Sequence, residues 1–344
     1  QEGGTLYTSS AIQVPTTLAN ARGRYDMLDG RIFMAGAFSI GFGNYSIGEF
    51  RMTTGTVRST AGNMVVGFSN YATGTLVLSN GTIQSAGHWV VGRGTGATGI
   101  VQMDGGSIAT PGSFYLGDGA VGRLEMTGGE IGLGTALFLG RQTAGKAYFD
   151  MSGGSIRATS IKRYDPTFPT PGTIAGWSWT GGTIDARTID LPITVTNNGG
   201  TLALGSTGAT STTIVGAGGY TQTAGSMTVG VSGSDAGGLV LGNCVGTFSG
   251  GSLDVTGLGG YNNSTGHTWD VIQAVNGGSI NTAGLTVNLP ATPAGRWSYT
   301  ADASKLTIVY QKDPTPTPTP SPTPTPTPTA SPTPTPAPTP TPTP

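Results

Sequence analysis

One short phrase recurs through most of this chain, and a recurring phrase restricts the fold more tightly than composition does. Its clearest copy is Met103-Asp104-Gly105-Gly106-Ser107-Ile108, followed by Phe114-Tyr115-Leu116-Gly117. The next copy starts 23 residues later, as Met126-Thr127-Gly128-Gly129-Glu130-Ile131 and then Leu137-Phe138-Leu139-Gly140. The glycine element also stands at Gly30-Arg31-Ile32, Gly55-Thr56-Val57, Gly81-Thr82-Ile83, Gly154-Ser155-Ile156 and Gly182-Thr183-Ile184. Looser copies follow at Gly200-Thr201-Leu202, Gly225-Ser226-Met227, Gly251-Ser252-Leu253 and Gly278-Ser279-Ile280. A period of this size is the mark of a solenoid.

Within each repeat the apolar residues alternate with Ser, Thr, Gln or Glu, which is the period of a strand. One repeat cannot bury its own apolar face, but stacked copies can, each strand pairing in parallel with its counterpart in the next coil. The reading is an all-β chain: a single-stranded parallel β-helix of about 25 residues per coil. Terminal β caps close its ends, and a right-handed sense follows from the usual hand of parallel crossovers. The hydroxyl after the corner glycine would stack as a ladder. About ten or eleven coils at ~4.8 Å each give a rod ~50 Å long.

The expected layout is an N-terminal cap or donated strand over 1–24, the β-helix over 25–290, a C-terminal β cap over 291–312 and a Pro-Thr tail over 313–344. Residues 157–177 break the pattern and read as a loop thrown out from a coil, carrying Tyr164 and Phe168. Proline at alternate positions of the tail forbids sheet ladders and favours polyproline II. The tail threonines, including Thr315, Thr317, Thr319, Thr325, Thr333 and Thr335, are candidate O-glycan acceptors.

The pieces Tyr220-Thr221-Gln222-Thr223, Trp269-Asp270-Val271, Leu289-Pro290 with Pro293-Ala294-Gly295, and Ser304-Lys305-Leu306-Thr307-Ile308-Val309 carry a resemblance. They resemble the repeats and terminal module of autotransporter-associated β-strand repeat proteins, among them the PEP-CTERM-type exported proteins. The resemblance implies an exported or surface β-helix. It supplies no catalytic residue. The chain departs from the pattern at its end, which has no Pro-Glu-Pro sorting signal or hydrophobic anchor.

Charge narrows the function classes. Asp, Glu, Lys and Arg make up 10% of the chain and the net charge is −1. That argues against a nucleic-acid partner, which needs clustered Lys and Arg. No apolar run is long enough for a transmembrane helix. A start at Gln1 rather than Met fits removal of an export signal. The single Cys244 cannot form an internal disulfide and reads as a small buried residue, with an intermolecular disulfide as the alternative.

No catalytic, cofactor or metal constellation emerges. His88 and His267 are far apart, and His88 reads as a surface residue. Asp29 and Asp104 read as sharing a corner slot, and Glu125 and Asp150 as standing in different slots, so neither makes a dyad. Phe42, Phe68, Trp89, Phe114, Tyr115 and Phe138 recur near the second element and are either core or an exposed row.

The expectation is a non-enzymatic extracellular structural protein that self-assembles into a filament or surface coat. Its assembly contacts would be Leu6, Ile12, Val14, Tyr164 and Phe168, and its partners other copies of itself and a covalent glycan or polysaccharide. The alternatives are an adhesin or carbohydrate-binding β-helix on a Pro-Thr stalk, and a β-helix polysaccharide lyase or hydrolase.

Overall fold

The computed structural model describes residues 3–15, 18–163, 170–205, 212–214, 216, 218–232, 235–257, 266–291, 295–312 and 331. The chain divides into two units, Gln1–Lys312 and Asp313–Pro344. The first is all-β, with no helix among the described residues, and it is a parallel β-solenoid.

Each coil contributes three strands, and each strand stacks in register on its counterpart one coil away. The first ladder contains Arg22–Met27, Ile47–Met52, Thr73–Leu78, Thr98–Met103 and Val121–Met126. The second contains Thr5–Thr8, Arg31–Met34, Thr56–Ser59, Thr82–Ser85, Ser107–Thr110 and Glu130–Leu133. The third contains Ile12–Val14, Phe38–Ile40, Met64–Val66, Trp89–Val91, Phe114–Leu116 and Ala136–Leu139. In Lys146–Lys162 and Thr173–Asp190 the corners straighten, and one long strand serves all three ladders; later coils give the third ladder its own strand again, as in Thr212–Ile214 and Leu239–Gly242.

Alternation decides what is inside. Met27, Met52, Leu78, Met103, Met126, Met151 and Trp179 form one buried column. Val57, Ile83, Ile108, Ile131, Ile156 and Ile184 form another. Each such side chain removed from water contributes roughly 1.5–3 kcal/mol. The hydroxyl ladder is present: Ser107 Oγ donates to Thr82 Oγ1 at 3.1 Å, and the Thr201 and Ser226 hydroxyls lie 3.0 Å apart. The interior also holds a satisfied polar cluster. Tyr220 donates its hydroxyl to Gln222 Oε1, Gln222 Nε2 donates to the Ser252 carbonyl, and Asn197 Oδ1 accepts from the Gly199 and Gly200 amides.

Three boundaries differ from expectation. The ladders already include Thr5–Thr8 and Ile12–Val14, which pair with their own chain. The break in the solenoid is shorter than 157–177. Buried Ala158 and Ile161 keep the inward rhythm up to Lys162, and Thr173 resumes beside Lys146. Gly278-Ser279-Ile280 is not the last rung of the glycine element. Ser279–Asn281 pairs with Val245–Phe248 in the first ladder, and Thr286–Asn288 takes the slot beside Ser252–Gly257. An apolar residue after Gly-Ser suits either corner, so the short phrase alone does not separate them.

The two ends of the solenoid differ on the third ladder; on the other two, Ser279–Asn281 and Thr286–Asn288 are the last described rungs. At the C-terminal end His267–Val275 pairs in parallel with Leu239–Gly242 and, on its other edge, antiparallel with Lys305–Lys312. Gly295–Ala301 completes that antiparallel sheet. Trp269, Leu306, Ile308 and Tyr310 are buried under it, and the Trp297 ring stacks on Trp269 at 5.7 Å. Asp302 fixes the connecting turn by accepting from the Ser304 hydroxyl and from the amides of Ser304 and Lys305. These bonds hold its carboxyl below the usual carboxylate range. The turn is therefore supported above that carboxyl's unfolded pKa and loosens as pH falls through the folded one. At the N-terminal end Thr5–Thr8, Ile12–Val14 and Arg22–Met27 are the outermost rungs, with no described strand beyond them.

Candidate interaction surfaces

The N-terminal rungs present core-facing residues to solvent. Leu6 points inward, in register with Ile32, yet is 41% exposed because no coil covers it. Ile12 is half-buried against the core, and Val14 is buried. Tyr25, the matching position of the first ladder, stacks on Phe50 at 5.5 Å and keeps its outer side half-exposed. Thr5–Thr8 and Ile12–Val14 carry no charged residue, whereas edge strands are ordinarily blunted by charge or proline. Tyr164, Phe168 and the six tail threonines lie outside the described residues.

The aromatic residues divide between the two faces of the third ladder. Trp89 and Phe114 point inward and stack at 5.8 Å. The Val65, Val90, Tyr115 and Phe138 row points outward, but it is buried in a second small cluster that Phe68 packs against. Phe42 stacks on Phe68 at 4.9 Å, the Arg141 guanidinium lies over Tyr115 at 4.1 Å, and the Lys162 ammonium over Phe138 at 4.9 Å. Asp118 holds Arg141 in place at 2.8 Å. This row is covered, so it offers no flat face for a sugar. His88 is not a plain surface residue either. It is half-buried, its Nδ1 accepts from the Ser113 amide at 3.0 Å, and it ties adjacent coils together.

An open row does run along the outside of the second ladder. Register places Tyr7, Phe33, Arg58, Gln84, Ala109 and Gly132 one above another. The rings of Tyr7 and Phe33 stack at 5.3 Å with 16° between their planes, and Tyr7 is 75% exposed. A depression of about 500 Å³ lies against Tyr7 and Phe33. A second, of about 370 Å³, lies against Arg58, Gln84, Ala109, Pro111 and Gly132, and Thr60 borders both.

The carboxylates are arranged differently from the sequence reading. Glu125 and Asp150 occupy the same slot in adjacent rungs, each one residue before a buried methionine. Glu125 is engaged by Gln102 at 2.8 Å and by Arg123 at 3.5 Å. Neither residue lines a depression described above. Asp29 and Asp104 do not share a slot. The Asp104 amide donates to the Leu78 carbonyl, as the Thr53 amide does to Met27 and the Thr127 amide to Met103, so Asp104 belongs one place earlier than Asp29. No group of three His, Cys, Asp or Glu that could hold a metal ion occurs among the described residues. No helix long and apolar enough to cross a membrane occurs among the described residues.

Cys244 is 5% exposed, and its thiol donates to the Ile214 carbonyl at 3.4 Å. Burial pushes its pKa up, so thiolate is scarce near neutral pH. The native chain is expected to react with a thiol-specific disulfide reagent at least tenfold slower than the same chain in denaturant. Equal rates would show that the thiol is accessible.

No protein-family model matches the chain, and a search of curated proteins finds no significant sequence relative.

Proposed function

We propose that this chain is a non-enzymatic structural protein of the cell exterior. It pairs with a second copy through the open N-terminal end of its solenoid. The observation that carries the reading is the inequality of the ends on the third ladder: at the C-terminal end antiparallel strands cover His267–Val275, while at the N-terminal end the uncharged Ile12–Val14, like Thr5–Thr8 on the second ladder, has no described strand beyond it. An unpaired strand edge is a template for another chain. Two identical ends meet only if one copy is turned over, so the strands of the two copies run antiparallel across the joint. Such a contact is two-fold and self-complementary, and it closes at the dimer. Leu6, Ile12 and Tyr25 would then find the apolar cover that their own chain leaves out.

The catalytic alternative is the weaker one. It calls for several acidic groups converging in a groove. Glu125 and Asp150 sit instead on an outer sheet face, with Glu125 already held by Arg123 and Gln102. Negative-stain microscopy of the purified chain tests the structural reading. Rods of ~100 Å, twice the ~50 Å of one solenoid, are expected. Single-length rods at every concentration would contradict it.

A further inference from the structure

We propose that the outer groove of the second ladder binds a linear acidic polysaccharide lying along the solenoid axis. The proposal does not rest on the pairing of ends, although its first residue, Tyr7, stands on the outermost rung, Thr5–Thr8.

The groove has the elements that sugar recognition uses. Its first part is an aromatic platform, the stacked Tyr7 and Phe33, with Tyr7 largely in solvent. The apolar face of a pyranose ring packs on such a surface, and its hydroxyls reach polar groups at the rim. Arg58 and Gln84 come next in the same row, both exposed, and both are flat groups with several donors. Beside them runs a hydroxyl row, Thr56, Thr82 and Ser107. Beyond Gln84 the floor falls away at Ala109 and Gly132, where a Cβ built on Gly132 meets nothing within 4 Å. From Tyr7 to Gly132 the row spans five rung steps, about 24 Å, enough for several sugar rings in line. The rung spacing is close to the length of one sugar residue, so a linear chain can present similar groups to successive coils.

Charge selects the acidic class. The cations Arg24, Arg51, Arg123, Arg141, Arg157 and Lys305 each face a carboxylate within the chain. Arg58 and its neighbour Arg31 make no ion pair among the described residues. Arg31 lies on the second ladder beside Thr5 and Thr56, bordering a further depression of about 450 Å³ with Asp29. The nearest carboxylates on this face are that Asp29, at the corner, and Glu130, at the far end of the hydroxyl row. A guanidinium matches a carboxylate through two parallel hydrogen bonds. A nucleic acid would need a much denser run of Lys and Arg. A peptide adding as a strand would need an open sheet edge, which this face lacks.

Affinity electrophoresis of the full chain through gels containing polygalacturonate, with neutral galactan as the parallel probe, tests the assignment. Polygalacturonate is expected to retard the chain and galactan much less. Tyr7→Ala and Arg58→Ala should each weaken retardation about tenfold, one stacking or charge-assisted contact apiece. Arg187→Ala, which removes an exposed arginine outside the groove, should leave it unchanged. Circular dichroism of each variant checks that the solenoid is intact. Three results would overturn the proposal: no retardation by polygalacturonate, equal retardation by galactan, or equal weakening by Arg187→Ala and Arg58→Ala.

Discussion

Gly92→Ala is expected to lower the stability of the solenoid by about 2–5 kcal/mol, although it adds one methyl group. Gly92 ends the third-ladder strand Trp89–Val91 and turns the corner with φ +75. The left-handed conformation alone costs an L-residue roughly 1–2 kcal/mol. A Cβ there would also stand 2.1 Å from the Val121 carbonyl oxygen of the next coil. That atom is backbone, so relief requires the coils to move apart, which adds roughly 1–3 kcal/mol. Gly132→Ala is the control, since its Cβ would enter open space; it should shift stability by less than about 0.5 kcal/mol. Tyr71 shows that a positive φ is tolerable where the side chain is exposed, with φ 55 and its ring stacked on Tyr45. Urea melts of both variants read the difference. Equal midpoints would mean that the coils are not as close at that corner as described.

Ile308→Asp is expected to change the form of assembly. Ile308 is fully buried in Lys305–Lys312, in register with Trp269 on one side and Tyr299 on the other. An unpaired carboxylate at that position costs several kcal/mol, so the antiparallel strands come away. The outer edge of His267–Val275 is then free, and both ends of the solenoid are open. A head-to-tail contact in parallel register becomes available, and a contact of that kind does not close. Filaments many solenoids long should appear by electron microscopy, while the parent chain stays at double-length rods. A variant whose 295–312 segment becomes sensitive to protease but whose assembly does not change would show that the C-terminal cover is not what limits growth.

The coil was legible in the sequence because two phrases keep the same phase over consecutive repeats, and strand alternation fixes which residues go inside. Some relationships were equally legible and were misread. Glu125 and Asp150 both stand four residues before a corner glycine, Gly129 and Gly154, and so had to be neighbours. Gly4-Thr5-Leu6 repeats the pattern of Gly30-Arg31-Ile32, and the structure pairs them accordingly. Other features have no short-range signature. The outward Val65, Val90, Tyr115 and Phe138 row is covered by Phe68, Arg141 and Lys162, which an alternating pattern alone cannot foretell. The antiparallel return of Lys305–Lys312 onto His267–Val275 depends on a contact between segments well separated in the chain. The groove on the second ladder arises only when Tyr7, Phe33, Arg58 and Gln84 are stacked by register, although each alone looks like an ordinary surface residue.

Sedimentation velocity of the full chain beside Leu6→Lys, over a series of concentrations, tests the central claim most directly. Leu6 is already 41% exposed, so a lysine there leaves the packed core intact while placing charge on the open end. The account predicts a concentration-dependent species of twice the chain mass for the parent and a monomer for Leu6→Lys. A parent that stays monomeric, or a dimer that Leu6→Lys leaves unchanged, would contradict pairing through the N-terminal rungs.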